Sequence, residues 1–131
     1  MRVLITGANG FIGKNLVIHL NELKDIEVIK FSRENAMSQL ASICSEVDYV
    51  IHLAGINRSE NDSEFTAGNE NLTKTLCGAL SKTGRKIPII LASSVQAIQG
   101  NLYGKSKLAS EEAVEAYSKS TGSPAYIYRL P

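Results

Sequence analysis

The chain has 131 residues, enough for one domain with a sizeable core, and its 44% apolar and 21% charged residues mark it as globular rather than disordered. A formal net charge of +1 gives no reason to expect nucleic acid or a membrane surface as partner. No apolar run is long enough to span a bilayer, and Arg2 within a strand pattern does not suit a signal peptide.

Val3, Leu4 and Ile5 form a β-favouring run that stops at Gly7, and glycine recurs at Gly10 and Gly13 as a helical pattern begins. This reads as a buried strand, a tight turn and a helix N-terminus. Gly7 can take the backbone angles of a sharp turn. Gly10 lets the main chain approach a ligand, and Gly13 lets the helix lie close to the strand. The unpaired N–H groups at the helix start, with the positive end of its dipole, suit a pyrophosphate.

Phe11, Ile12, Leu16, Val17 and Leu20 recur at helical spacing and predict a helix to about residue 23. A second strand is expected over 26–31 and a short helix over 36–44. Residues 47–53 read as a third strand buried on both faces, followed by a polar loop over 55–63. Phe65, Leu72, Leu76 and Leu80 mark one stripe of a long helix ending near Gly84. A fourth strand is expected over 87–92, a helix over 106–120 and a fifth strand over 125–128. This alternation predicts an α/β domain with a doubly wound parallel sheet covered on both faces, in an order such as 3-2-1-4-5. Ligands then bind at the carboxyl ends of the strands. Cys44 and Cys77 sit among apolar neighbours without metal-ligand spacing, so they read as buried hydrophobes of a reducing compartment. No metal site is expected, and the expected location is cytoplasmic.

The stretch Thr6-Gly7-Ala8-Asn9-Gly10-Phe11-Ile12-Gly13 resembles the TGxxGFxG turn of the extended short-chain dehydrogenase/reductase superfamily, the family of NAD-dependent epimerases and dehydratases, which has a Rossmann fold. The resemblance implies a dinucleotide held by Gly7, Asn9, Gly10, Phe11, Ile12 and Gly13. An NAD-preferring site places a carboxylate at the end of the second strand. Ser32 and Arg33 stand there instead, and a guanidinium can bind a 2′-phosphate through forked hydrogen bonds. That favours NADP(H), with NAD possible if Arg33 is only a solvated charge and Glu34 binds the ribose. Leu53, Ala54 and Gly55 resemble the family's small or apolar wall against the coenzyme. Asn69 and Thr73 match its N-x-x-x-T helix motif, which lies near the cofactor, although a buried helix polar group reads equally well. His52 alone reads as a core residue.

Tyr103 and Lys107 are four apart at the start of a helix and so share a face. An ammonium one turn from a phenol favours its ionised form. A strand-end hydroxyl could hydrogen-bond a substrate oxygen from a second direction. The arrangement resembles the superfamily's Ser-Tyr-Lys triad, which implies Ser94, Tyr103 and Lys107 as catalytic residues. Ser94 is preferred over Ser93 because Ala97 fills the small apolar place three residues on. Tyr103 and Lys107 would also contact the coenzyme. Val95 and Gln96 replace the Asp-Glu pair that family dehydratases use, so dehydration is not expected.

The short Ser94-to-Tyr103 spacing, with residues 52–58 and 101–107, is similar to the capsule and O-antigen enzymes that reduce a 4-keto UDP-amino-sugar with NADPH. This implies a nucleotide-sugar substrate and a homodimeric full-length protein, with Asn57 and Arg58 near the sugar or its phosphates. Family members continue past the fifth strand into a substrate domain, so residues 1–131 are expected to be a truncated NAD(P)-binding domain. A nucleotide-sugar epimerase with bound NAD and a non-catalytic NADP-binding regulator are the competing readings.

Overall fold

The computed structural model describes residues 1–55 and 61–131. Five parallel strands, β1 (Arg2–Thr6), β2 (Glu27–Phe31), β3 (Tyr49–His52), β4 (Ile89–Ser94) and β5 (Ala125–Leu130), form one sheet in the order β2-β1-β3-β4-β5. The helices are α1 (Phe11–Asn21), α2 (Leu40–Glu46), α3 (Asp62–Phe65), α4 (Leu72–Lys82) and α5 (Leu102–Thr121). A 3₁₀ turn (Met37–Gln39) leads into α2, a π-helical turn (Thr66–Asn71) joins α3 to α4, and a second 3₁₀ turn (Val95–Ile98) follows β4.

The sheet order corrects the expected 3-2-1-4-5. β1 has β2 on one side, with Val3 opposite Val28, and β3 on the other, with Val3 opposite Tyr49. Helix placement explains the difference. α1 packs on the face carrying Val3 and Ile5, whereas Leu40 and Cys44 of α2 pack on the opposite face with Leu4 and Val50. Right-handed crossovers on opposite faces step in opposite directions along the sheet. The β2–β3 connection therefore passes back over β1.

α2, α4 and α5 share one face, where Leu40, Leu76, Leu80, Leu91 and Val114 are each at most 1% exposed. Cys44 and Cys77 are free and buried in this layer, where burial pushes their thiols up to about 11 and about 12. Among the described residues, α1 is the helix that covers the second face, and it reaches only part of it. The alternation of β5 turns Tyr126 and Tyr128 outward, 48% and 56% exposed, so the expectation of two covered faces holds for β1 and fails for β5.

Element ends also differ from the sequence reading. β4 begins at Ile89, after Pro88, which cannot donate to a ladder, and runs two residues further than expected, to Ser94, because Ser93 and Ser94 pair with Arg129 and Leu130 of β5. α5 starts at Leu102 because the Asn101 side chain caps it, accepting a bond from the Gly104 N–H at 2.6 Å. The long helix expected from Phe65 begins at Asp62, with Asn61 as its cap, and takes the π-helical turn before α4. Among the described residues no helix is long and apolar enough to cross a membrane, and no cluster of side chains could hold a metal ion.

Candidate active site

The carboxyl ends of β1, β3 and β4 open on a continuous groove formed by two cavities of about 700 and 680 Å³, which share Gly7, Gly10, Leu53 and Gly55. The glycine turn is its floor. Gly7 has φ of +69°, and its N–H donates to the Phe31 carbonyl at 3.0 Å, tying the turn to the end of β2. A Cβ on Gly13 would overlap the Gly7 carbonyl oxygen and come within 2.8 Å of the Ala8 Cα, so only glycine lets α1 start this close to the turn. A Cβ on Gly10 would meet nothing closer than the Gly7 oxygen at 3.4 Å; that side of the turn is open to the groove. Gly10 is the N-cap of α1 without a side-chain cap bond, so the helix presents main-chain N–H groups and the positive end of its dipole. This uncapped cradle fits a dinucleotide pyrophosphate.

One end of the groove lies beside β2. Ser32, Arg33 and Glu34 line it together with Asn9, Leu53, Ala54 and Gly55. The Asn35 side chain accepts the Ser32 N–H at 2.9 Å and fixes this turn, leaving Arg33 and Glu34 exposed at the rim. Asn35, Met37, Gly68, Asn71 and Leu72 also line the cavity, and the sequence reading omitted them.

The other end is lined by Phe11, Ile12, Gly13, Ala92, Ser93, Ser94, Tyr103, Lys107, Leu130 and Pro131. The structure thus brings Ser94, Tyr103 and Lys107 to one cavity. The Ser94 Oγ accepts the Gln96 N–H at 3.1 Å as N-cap of the 3₁₀ turn, which leaves its own proton to donate. The Ser93 hydroxyl instead donates to Glu111 at 2.7 Å. Tyr103 stands in the first turn of α5, its ring edge-on to Phe65 at 5.9 Å. Lys107, 5% exposed, donates to the Ala92 carbonyl at 2.9 Å. Burial pulls its ammonium down to about 8 against the opposing pull of the Glu111 carboxylate.

Behind the groove runs a buried polar chain. The Ala54 N–H donates to Thr6 Oγ1 at 3.2 Å, so the Thr6 proton goes to His52 Nδ1 at 2.5 Å. His52 then carries its proton on Nε2 and donates to Thr73 at 2.9 Å, and Thr73 donates to the Asn69 carbonyl at 2.6 Å. Burial first, and the Lys107 charge second, push the His52 imidazole down to about 3. His52 is thus a neutral core residue, as its sequence context suggests. Asn69, 1% exposed, donates to Ser106 Oγ at 2.9 Å and stands directly behind Gly55, where a Cβ would meet its Oδ1 at 2.7 Å. Asn57 and Arg58 lie outside the described residues.

An all-parallel sheet with a glycine turn at its first strand and a Ser, Tyr and Lys set at its fourth has the architecture of a Rossmann-like domain. Residues 3–131 match the NAD dependent epimerase/dehydratase family, and the chain belongs to it. It is 48% identical over all its 131 residues to the UDP-2-acetamido-2,6-beta-L-arabino-hexul-4-ose reductase of Pseudomonas aeruginosa, covering 35% of that protein. Over 90 residues, 58% of this chain and 30% of the relative, it is 33% identical to the GDP-6-deoxy-D-talose 4-dehydrogenase of Aggregatibacter actinomycetemcomitans. The capsular polysaccharide assembling protein CapF of Staphylococcus aureus superposes with a TM-score of 0.85 at 40% identity, covering 100% of this chain and 36% of that one. The chain thus spans about a third of the length of these relatives. The UDP-glucuronic acid 4-epimerase of Bacillus cereus, solved in complex with NAD, shares the fold at a TM-score of 0.87 and 21% identity over 98% of this chain and 56% of that one.

Proposed function

We propose that residues 1–131 are the coenzyme-binding part of an NADPH-dependent reductase of a 4-keto UDP-deoxy-amino-sugar used in surface polysaccharide synthesis. Dehydration is disfavoured because Val95 and Gln96 offer no acid or base after Ser94. The observation that carries the reading is the convergence of Ser94, Tyr103 and Lys107 on a cavity continuous with the glycine cradle. When bound, NADPH supplies the hydride for ketone reduction. Gly7, Asn9, Gly10, Phe11, Ile12 and Gly13 hold its pyrophosphate, and Leu53, Ala54 and Gly55 form the wall against it. Lys107 binds the ribose next to the nicotinamide. Tyr103 gives a proton to the substrate oxygen, and Ser94 donates a hydrogen bond that orients the same oxygen. Asn69 supports this wall from behind.

The preference for NADPH rests on Arg33 at the cavity rim, with no carboxylate at the place of Ser32. Calorimetry on the wild-type and Arg33→Ala chains tests it: NADPH affinity should fall at least tenfold more than NADH affinity, because only NADPH carries the 2′-phosphate. Equal losses would remove Arg33 from phosphate recognition. A second reading, a nucleotide-sugar epimerase that retains NAD, is favoured by one observation. Glu34 lines the same cavity and could accept the ribose hydroxyls. Tighter binding of NADH than of NADPH by the wild-type chain would support it.

A further inference from the structure

Glu111 is the acidic side chain most deeply buried among the described residues, at 3% exposure, and the reading above gives it no role. Groups from two strands bond to it, and a third lies near it on its own helix. Ser93 of β4 donates its hydroxyl to Oε1 at 2.7 Å. Arg129 of β5 donates from Nε to Oε1 and from Nη2 to Oε2, both at 2.8 Å, a forked pair that spans the carboxylate. Lys107 lies one helical turn earlier on α5, on the same face. The partners are placed to matter. Ser93 immediately precedes Ser94, Arg129 immediately precedes the Leu130 and Pro131 that line the cavity, and Lys107 is part of its wall.

From this convergence we propose that Glu111 is a positioning residue of the site. It clamps the carboxyl ends of β4 and β5 to α5, and its buried negative charge holds Lys107 as an ammonium at the cavity wall. Both serines border the cavity, but the Ser93 hydroxyl is engaged by Glu111, whereas the Ser94 hydroxyl accepts from the Gln96 N–H and keeps its own proton to donate. Lys107 is taken from water with a single hydrogen bond among the described residues, to the Ala92 carbonyl. A buried ammonium loses its proton readily unless an opposite charge stands near. Among the described residues, the other titratable groups around this stretch do not provide one. His52 of β3 is neutral, Cys77 of α4 is a thiol kept protonated by burial, and Arg129 of β5 is itself cationic. Tyr103 shares the α5 face, Glu115 acts on Arg129, and Asp62 of α3 is exposed. Glu64 of α3, on the helix turn that also carries Phe65, is exposed as well.

The inference rests on the proposed role of Lys107, yet its test needs neither coenzyme nor sugar. The Lys107 side chain is titrated by NMR in the 131-residue chain, with Lys107→Met assigning the resonance. The wild-type midpoint is expected at about 8. In Glu111→Gln it moves down, because the opposing charge is gone while burial remains. A merely structural brace gives the opposite sign: loosened strands would admit water and return the lysine upward. An unchanged or raised midpoint in Glu111→Gln therefore overturns the proposal. If Glu111→Gln does not fold, the reciprocal titration decides. Lys107→Met should raise the midpoint of the Glu111 carboxyl, and no change there also overturns it. A wild-type chain that binds no NADPH would sink the proposed function and leave both titrations readable.

Discussion

His52 makes the chain acid-sensitive in a window where its carboxylates do not. The imidazole is 1% exposed, accepts from Thr6, donates to Thr73, and is pushed down to about 3 by burial and then by the Lys107 charge. An imidazolium would also have to turn the Thr6 hydroxyl out of its present bond. In the unfolded chain the same histidine takes up its proton near ~6.5. Between those values the unfolded state binds more protons, so stability is full above the unfolded value and falls as pH drops toward the folded one. The linkage integral from pH ~7.5 to ~5 is about 2 kcal/mol, with a limiting slope of about 1.4 kcal/mol per pH unit below the unfolded value. Asp48 and Glu111, whose carboxyls are held low, lose their stabilisation only at more acid pH. Urea denaturation at a series of pH values measures the effect. With an m-value of about 1–3 kcal/mol/M, the midpoint should drop by about 0.7–2 M across that window. His52→Gln should be less stable at neutral pH but flat across it. A flat wild-type profile, or an unchanged slope in His52→Gln, refutes the reasoning.

Two further predictions concern the groove. Gly13→Ala should destabilise the chain by at least about 2 kcal/mol, since the new methyl overlaps backbone that cannot move without opening the turn; thermal melting reads this. Tyr103→Phe in the full-length protein should remove turnover and leave coenzyme affinity nearly intact, because the lost hydroxyl is assigned to proton transfer. A near-normal kcat would take Tyr103 out of the mechanism.

The parts of this site that were legible in the sequence are those made by neighbours in the chain. The glycine turn depends on contacts within residues 6–13, and Tyr103 and Lys107 on one helical repeat, so spacing alone pointed to both. The sheet order was not legible, because it depends on which face α2 takes, and that is settled by packing of Leu40 and Cys44 against residues far along the chain. The start of α5 was one turn earlier than the apolar pattern suggested, although Gly100-Asn101 carried the turn and cap signal. Glu111 escaped notice because its partners Ser93 and Arg129 are each 18 residues away, on opposite sides in sequence. A helix with acidic residues at 111, 112 and 115 looks solvated until the strands that cover one of them are known.

The half-covered sheet also sets how tolerant each strand is to replacement. In β1, Val3, Leu4, Ile5 and Thr6 are all buried, so neither side of the strand has a permissive position. In β5 the burial alternates, with Ala125 and Ile127 facing the helices and Tyr126 and Tyr128 facing outward. A saturation library selected only for folding should therefore show an unbroken block of intolerance along β1 and a two-residue rhythm along β5. Within this chain, fold maintenance constrains one strand at each residue from Val3 to Thr6 and the other at every second one from Ala125 to Tyr128, so any constraint found on Tyr126 or Tyr128 must come from something other than the core described here.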